Sequence, residues 1–128
     1  MSNAPPDLPP PDLGERGPYA LVGSARARPG LADALEARLV SLVGPTRLEA
    51  GALAYHVHRD RADRDLFVFY EAWRDIAALR AHFTQPHIVA FLADRGDYLE
   101  GDLEVRWLRM SSVFDGLELN EEGPVLRS

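Results

Sequence analysis

Apolar positions recur along this chain with two different periods, and the changes between them predict the order of its elements. From Tyr19 to Arg28, apolar or small side chains occupy alternate positions, as they do in a strand. Pro29 and Gly30 then interrupt the chain, and residues 31–43 place four leucines on one face of a helix. The pattern predicts a strand followed by an amphipathic helix.

The next segment predicts two strands joined as a hairpin. Ala52 to Arg59 and Leu66 to Trp73 both alternate, and the charged loop between them has hairpin length. A short helical turn is expected before them, over residues 45–51, because proline favours a helix start and glycine favours a helix end.

Helical spacing returns after the hairpin. It runs from Ile76 to Phe83, with Asp75 as the predicted N-cap. It is interrupted before Pro86, because proline disfavours helical geometry at the residue that precedes it, and it resumes over 87–99. Alternation over 103–110 then predicts a fourth strand.

The order β-α-β-β-α-β is that of an α+β, ferredoxin-like sandwich, with two helices on one face of a four-stranded sheet. The strand Leu66 to Trp73 is apolar on both faces, so both faces must be covered. The face without helices is therefore expected to pack on a twofold-related copy, forming a homodimer. Alternation alone does not determine which face of the sheet meets the helices.

The two ends of the chain are patterned more weakly than its middle. Residues 1–18 hold most of the ten prolines and few large apolar side chains, so they are predicted to be a flexible tail. Residues 19–110 form the one predicted domain. Residues 111–128 are acidic, and we interpret them as a tail or as an arm exchanged with a neighbouring subunit.

Composition and charge exclude several classes of function. The formal net charge of −6 argues against a nucleic-acid partner, because phosphate binding requires a basic surface. The absence of cysteine excludes disulfides, thiolate nucleophiles and cysteine-based zinc sites. No apolar run reaches the roughly 20 residues of a membrane span, and the N-terminus lacks the pattern of a signal peptide. We therefore expect a cytoplasmic protein without a membrane partner.

Four histidines are the candidates for acid–base or metal chemistry. His82 lies at the edge of an apolar helical stripe and imidazole titrates near neutral pH, so it is the preferred catalytic base. The alternative is a packing histidine bonded to a backbone carbonyl. His87, just after Pro86, is interpreted as a helix-start residue that bonds nearby backbone. His56 and His58 share one strand face but have no clear third ligand, so no metal site is predicted.

Aromatic residues supply the walls of a predicted pocket beside this histidine. Phe69, Glu71 and Trp73 share one face of their strand, and Glu71 is expected to orient a histidine or to pair with an arginine across the dimer. The small residues from Gly23 to Ala25 predict a close approach to the backbone, by a helix or by a ligand. The other predicted substrate-binding residues are Tyr55, Phe91 and Trp107.

Three segments resemble the antibiotic biosynthesis monooxygenase family, especially its quinol-monooxygenase-like branch. They are ARPG at Ala27 to Gly30, PTRLEAGALAYHVHRD at Pro45 to Asp60, and FVFYEAWRDIAALRAHFTQPHIVAFL at Phe67 to Leu92. The resemblance implies a dimeric α+β barrel. The family also includes cofactor-independent oxygenases of quinols and anthrones, haem-degrading enzymes and a phospho-sugar isomerase.

The haem-degrading branch is similar in topology but differs at its functional positions. It uses an asparagine in the first strand, a tryptophan on the second helix and a histidine ten residues later. Here those positions correspond to about Gly23, His82 and Leu92, and none of them matches. The resemblance therefore does not imply haem chemistry.

Together, the residues and the resemblance predict a cofactor-independent monooxygenase. It would oxidise a quinol or polyphenolic, polyketide-like aromatic with dioxygen, with His82 as the base and with no cofactor or metal. Two alternatives stay open: a non-catalytic dimer that binds a small molecule, and an isomerase in which the same histidine moves protons without dioxygen.

Overall fold

The computed structural model describes residues 4–5, 17–112, 117–120 and 123–126 of the chain. Within them the elements follow the predicted order, with an additional pair of strands in the C-terminal region. They are β1 (Tyr19–Arg26), α1 (Ala32–Val40), α2 (Val43–Arg47), β2 (Ala52–Arg59), β3 (Leu66–Trp73), α3 (Ile76–His82), α4 (Pro86–Asp94), β4 (Glu104–Arg109), β5 (Leu117–Asn120) and β6 (Gly123–Leu126).

Four of these strands form one antiparallel sheet in the order β2-β3-β1-β4. The first strand lies between β3 and β4, and its Leu21 is opposite Glu71 on one side and Trp107 on the other. This order, together with the two helical crossovers, confirms the ferredoxin-like α+β fold that the sequence predicted.

Burial shows which face of the sheet meets the helices. Phe67, Phe69, Glu71 and Trp73 on β3 are all buried beneath them. Residues paired across an antiparallel ladder share a face. The side chains of the residues paired with these four on β1 and β2 therefore also point toward the helices. The opposite face of β3 presents Val68 and other half-buried apolar side chains.

The boundaries of three helices differ from the predicted ones. The first helix ends at Val40 instead of continuing to residue 43, and a separate helix, Val43–Arg47, begins before the expected start at Pro45. Pro45 is tolerated because it lies in the first turn, where its missing N–H has no helical partner. Further along, α4 begins at Pro86 and ends at Asp94, and a short 3-10 helix follows it.

The ends of the chain are described only in part. Most of residues 1–18 lie outside the described residues. In the C-terminal region, β5 and β6 pair antiparallel with Leu117 opposite Leu126. The sequence pattern did not predict these strands, and the exchanged arm stays a prediction. No helix of the described residues has the length and apolar character needed to cross a membrane.

The glycine in the middle of β1 is required by an aromatic ring on the neighbouring strand. Gly23 is opposite Phe69, and a Cβ atom built at Gly23 would overlap the Phe69 ring. The close approach that the small residues predicted is made at Gly23 by a side chain of the same sheet. The absence of a side chain at Gly23 leaves room for the Phe69 ring.

We expect Gly23→Ala to destabilise the protein by about 1–3 kcal/mol, because overpacking displaces a buried ring. The double variant Gly23→Ala/Phe69→Leu should lose less stability than the two single changes added together, because Leu removes the ring that clashes. Urea unfolding would measure both effects.

Gly44→Ala is the matched control for that prediction. A Cβ atom at Gly44 meets no other atom within 4 Å, so its effect should be small or stabilising. Equal unfolding free energies for the Gly23 and Gly44 variants would contradict the role given to the Phe69 contact.

Candidate active site

A cavity lies between the helices and the covered face of the sheet. Twelve apolar side chains line it, among them Phe69, Phe91 and Trp107, together with three polar residues, Tyr55, Glu71 and His82. The space between these side chains, including its opening to solvent, is about 550 Å³, and the volume open to the centre of a water molecule is about 40 Å³. An apolar enclosure with a few convergent polar groups is typical of a small-molecule site.

The break between α3 and α4 positions the histidines of the site. Asp75 caps α3 by accepting a hydrogen bond from the Ala78 N–H at 2.8 Å, as the sequence predicted. His82 is the last residue of this helix, and His87 lies in the first turn of the next one. The two rings consequently lie side by side, with their centroids 6.4 Å apart.

His82 is buried between two carboxyl groups. Its Nδ1 atom is 3.0 and 3.1 Å from the two carboxyl oxygens of Glu49, and its Nε2 atom is 3.7 Å from Oε1 of Glu71. The indole of Trp73 packs on the imidazole with ring centroids 4.5 Å apart and donates a hydrogen bond to Glu71 Oε1 at 3.1 Å. The ring of His82 is thus hydrogen-bonded at its Nδ1 edge and packed on one face, with Glu71 beside its Nε2 edge.

A second histidine completes the network. Nε2 of His87 lies 2.9 Å from Oε2 of Glu49 and 3.2 Å from the hydroxyl oxygen of Thr46. Glu49 follows α2 in the turn that leads to β2, and its carboxyl group is therefore shared between two imidazoles that belong to different helices.

Burial shifts the pKa of the acidic groups upward. It raises the pKa of Glu49 to about 7, and a hydrogen bond with Thr46 opposes this rise. It also raises the pKa of Glu71 to about 7, where the hydrogen bond from Trp73 lowers the pKa and the charge of Glu49 raises it. Burial and these two carboxylates raise the pKa of Tyr55 far above its usual range, so Tyr55 stays a phenol.

Burial has the opposite effect on the histidines. It lowers the pKa of His82 to about 3, with His87 contributing further, and it lowers the pKa of His87 as well. At neutral pH His82 is therefore uncharged and has one nitrogen able to accept a proton. When Glu49 is ionised it accepts the Nδ1–H of His82, which leaves Nε2 as the free base.

The structure brings most of the predicted site residues to one cavity. His82, Phe69, Glu71, Tyr55, Phe91 and Trp107 all line it. Trp73, predicted to contact substrate, does not line the cavity, because its indole lies behind the His82 ring and is fully buried. Its place in the structure is that of a support for His82 and Glu71.

Three residues of the network were not predicted for it. Glu49 and Thr46 lie in a segment without clear periodicity, so no sequence signal aimed them at the histidines. His87 was expected to bond nearby backbone. That interpretation is wrong, because its ring contacts the side chains of Glu49 and Thr46. The spacing of two histidines across a helix break is the one signal that pointed toward this arrangement.

One group of the described residues has atoms placed so that they could hold a metal ion. It consists of Glu49, His82 and His87, whose ligand atoms all lie within 4.8 Å of one another. The pair first considered from the sequence, His56 and His58, is exposed, and each of its rings has another partner. His56 bonds Arg47 at 3.1 Å, and His58 bonds the Val68 carbonyl at 3.0 Å.

Known proteins resemble this chain in both sequence and structure. The family model for antibiotic biosynthesis monooxygenases matches residues 18–94. An uncharacterised protein of Synechocystis, sll1783, is 30% identical over 111 residues, which cover 83% of this chain and 76% of that protein. The crystal structure of PA3566 from Pseudomonas aeruginosa is 39% identical with a TM-score of 0.71, covering 74% of this chain and 95% of its own. Rv0793 from Mycobacterium tuberculosis is 30% identical with a TM-score of 0.71, covering 76% and 98%.

The raised pKa of Glu71 predicts a specific pH dependence of stability. The folded pKa of about 7 exceeds the ordinary value of 4.5, so this contribution to stability is complete below pH 4.5 and is lost as the pH rises through 7. A rise from 4.5 to about 7 corresponds to a free energy on the order of 3 kcal/mol. The stability of Glu71→Gln relative to wild type should therefore be greater at pH 8 than at pH 5.

Urea unfolding of the wild type and of Glu71→Gln at the two pH values would measure this gain. Gln keeps an oxygen that accepts the Trp73 hydrogen bond, so packing is conserved. The exposed Glu100→Gln is the control, and it should show no such gain. A constant difference between Glu71→Gln and wild type at both pH values would refute the burial of an ionisable carboxyl at this position.

Proposed function

Because the chain belongs to the antibiotic biosynthesis monooxygenase family, we propose that it is a monooxygenase that oxidises a quinol or polyphenolic aromatic with dioxygen and without a cofactor. One observation carries the proposal: a buried, uncharged imidazole, His82, forms part of the wall of an apolar cavity lined by aromatic side chains. The surrounding groups hold this imidazole in one orientation.

The cavity suits a flat apolar ring better than a charged metabolite. Its lining is mostly aliphatic and aromatic, and its few polar atoms lie near His82 and Glu71. The volume open to the centre of a water molecule is only about 40 Å³, so a bicyclic substrate requires side chains to move. Trp107 is half-buried at the sheet edge and is well placed to do so.

An ionised aromatic supplies the electrons for this reaction. Loss of a hydroxyl proton makes the ring electron-rich enough to pass one electron to dioxygen, and the aromatic radical and the superoxide then combine at a ring carbon. Return of a proton to the resulting peroxide gives a hydroperoxide. Loss of water then leaves one oxygen atom of dioxygen on the product and places the other in water. The protein has to bind the ring, accept the proton and keep solvent out.

The residues divide these tasks by position. His82 accepts the proton at Nε2, while Glu49 holds the Nδ1–H and stabilises the imidazolium that forms. Glu71 lies beside Nε2 and lines the cavity, and in its protonated form it donates a hydrogen bond to the developing oxyanion. Phe69, Phe91 and Trp107 enclose the ring.

The activity is tested with chelator-treated protein, a dioxygen electrode and a panel of menadiol-like hydroquinones and anthrones. His82→Asn keeps an amide near the Nδ1 position but lacks Nε2, so the rate should fall by about 10²- to 10⁴-fold. The exposed His56→Asn is the matched control and should keep the wild-type rate. With ¹⁸O₂, one labelled atom should enter the product.

Other outcomes of the same experiment would favour a different function. Dioxygen uptake no faster than the buffer blank across the whole panel would exclude the oxygenase. Thermal stabilisation by an aromatic without turnover would indicate a binding protein, and rearrangement of a substrate without dioxygen uptake would indicate an isomerase.

We also propose that two copies pair through the uncovered face of the sheet. Val22, Val68 and Tyr70 form a half-buried apolar strip at its centre, and a strip of this kind is suited to a second sheet. The predicted partners are therefore a second copy, a small aromatic and dioxygen. A cytoplasmic location stays a prediction, which fractionation of expressing cells would test.

Val68→Lys should convert this dimer to a monomer, because it places a charge in the centre of the strip. Light scattering after size-exclusion chromatography measures the mass, and circular dichroism checks that the fold is kept. Val40→Lys makes the same change at an exposed position of α1 and should stay dimeric. A monomeric wild type at micromolar concentration would rule out the pairing.

A further inference from the structure

We propose that His82, Glu49 and His87 form a proton pathway that connects the buried His82 with solvent, and that His87 is its outer end. The inference rests on the proposed function, because it takes His82 to be the group that receives a proton from a bound aromatic. It adds a role for Glu49 and His87, which do not line the cavity.

The pathway is continuous at hydrogen-bond distance. The distance from His82 Nδ1 to Glu49 Oε2 is 3.0 Å, and the distance from the same Glu49 oxygen to His87 Nε2 is 2.9 Å. Both distances fall within the range for direct hydrogen bonds, so no water molecule is needed between the groups. Because one carboxyl oxygen meets both imidazoles, a proton that reaches Glu49 has a second acceptor beside it.

Exposure increases along the same line. The side chain of His82 is 3% exposed, that of Glu49 8% and that of His87 19%. Trp73, Tyr55 and Phe83 surround His82 with aromatic rings. His87 is therefore the member of the network that buffer molecules reach most readily.

Each group can pass a proton onward without a change of fold. An imidazole that receives a proton at Nε2 can release the one at Nδ1, and a carboxylate that receives it can release it again. The substrate hydroxyl proton moves to His82 Nε2, the Nδ1 proton moves to Glu49, and Glu49 protonates His87, which exchanges with solvent. The route runs in reverse when the departing peroxide oxygen takes up a proton to form water, so no net proton is lost.

The charged and titratable neighbours favour proton transfer from the cavity toward His87. Glu71 lies on the Nε2 side, where its Oε1 already accepts the Trp73 N–H, so it ends the network at the cavity. Tyr55 stays a phenol, and Thr46 has a hydroxyl that bonds His87 at 3.2 Å and holds its ring against Glu49. The pKa values of Glu49 and Glu71 both lie near 7, so proton exchange with Glu49 costs little free energy at neutral pH.

His87→Gln separates a proton-transfer role from a structural one. Its amide can still donate to Glu49, but it does not titrate. In weak buffer we expect kcat to fall about tenfold with KM unchanged. This loss is smaller than the one expected from removing the catalytic base itself. Glu49→Gln should lower kcat further, and His56→Gln, at an exposed histidine outside the network, should match wild type.

Rescue by a small base gives an independent reading. His87→Ala leaves space beside Glu49, and imidazole in the buffer should restore much of its kcat without changing its KM. A kcat of His87→Gln equal to wild type in weak buffer, or no response of His87→Ala to imidazole, would overturn the pathway. Loss of wild-type activity with chelator and its return with a divalent metal would also overturn it, since the three side chains would then bind a metal.

A measurement without substrate distinguishes failure of the pathway from failure of the proposed function. In ¹⁵N-labelled protein, NMR can follow exchange of the His82 Nδ1 proton with water. Exchange should be slower in His87→Gln than in wild type or His56→Gln, and imidazole should accelerate it in His87→Ala. Equal exchange in all variants would refute the pathway even in an active oxygenase, whereas slowed exchange in an inactive protein would refute only the oxygenase.

Discussion

Two carboxyl groups and an imidazole lie between the sheet and the helices, where none of them can be hydrated as in water. Burial of such groups is costly unless each finds a hydrogen-bond partner. Here His82 and Glu49 bond each other, Glu49 also bonds His87, and Glu71 accepts the N–H of Trp73. Their placement depends on three separate parts of the chain, so the site can form only when α2, β3 and α3 are packed together.

The same constraint explains why the central strand has two different faces. On the covered face, β3 carries two core residues, Phe67 and Phe69, followed by Glu71 and Trp73, so it supplies both the core and the acid–base network. On the other face it supplies only apolar side chains that need another surface. The covered face of β3 thus contributes to the core and to the acid–base network. In our proposal, its other face contributes to the dimer.

The sequence predicted the elements well because their signals are local. Alternation located β2 and β3 at their observed bounds, and a proline located the break between α3 and α4. Errors occurred where two signals competed. Pro45 was interpreted as the start of a helical turn, but the helix begins at Val43, since a proline is accepted anywhere in a first turn.

The site was predicted only in part, for a physical reason. His82 and the aromatic walls lie on regular elements, so their periodic spacing indicated which residues would share a face. Glu49 lies in a turn, where no period determines the direction of a side chain, and it contacts residues 33 and 38 positions away. Its partnership with two histidines results from how the helices pack on the sheet.

The sequence by itself determined the order of the elements, the apolar character of both faces of β3 and the presence of a histidine on an apolar stripe. Only the tertiary structure decided which face of the sheet lies under the helices, that Phe69 fills the space above Gly23, and that Trp73 supports His82 from behind. Periodicity is a property of neighbouring residues, whereas a buried acid–base network depends on distances between residues far apart in the chain. Those distances exist only after the core has formed.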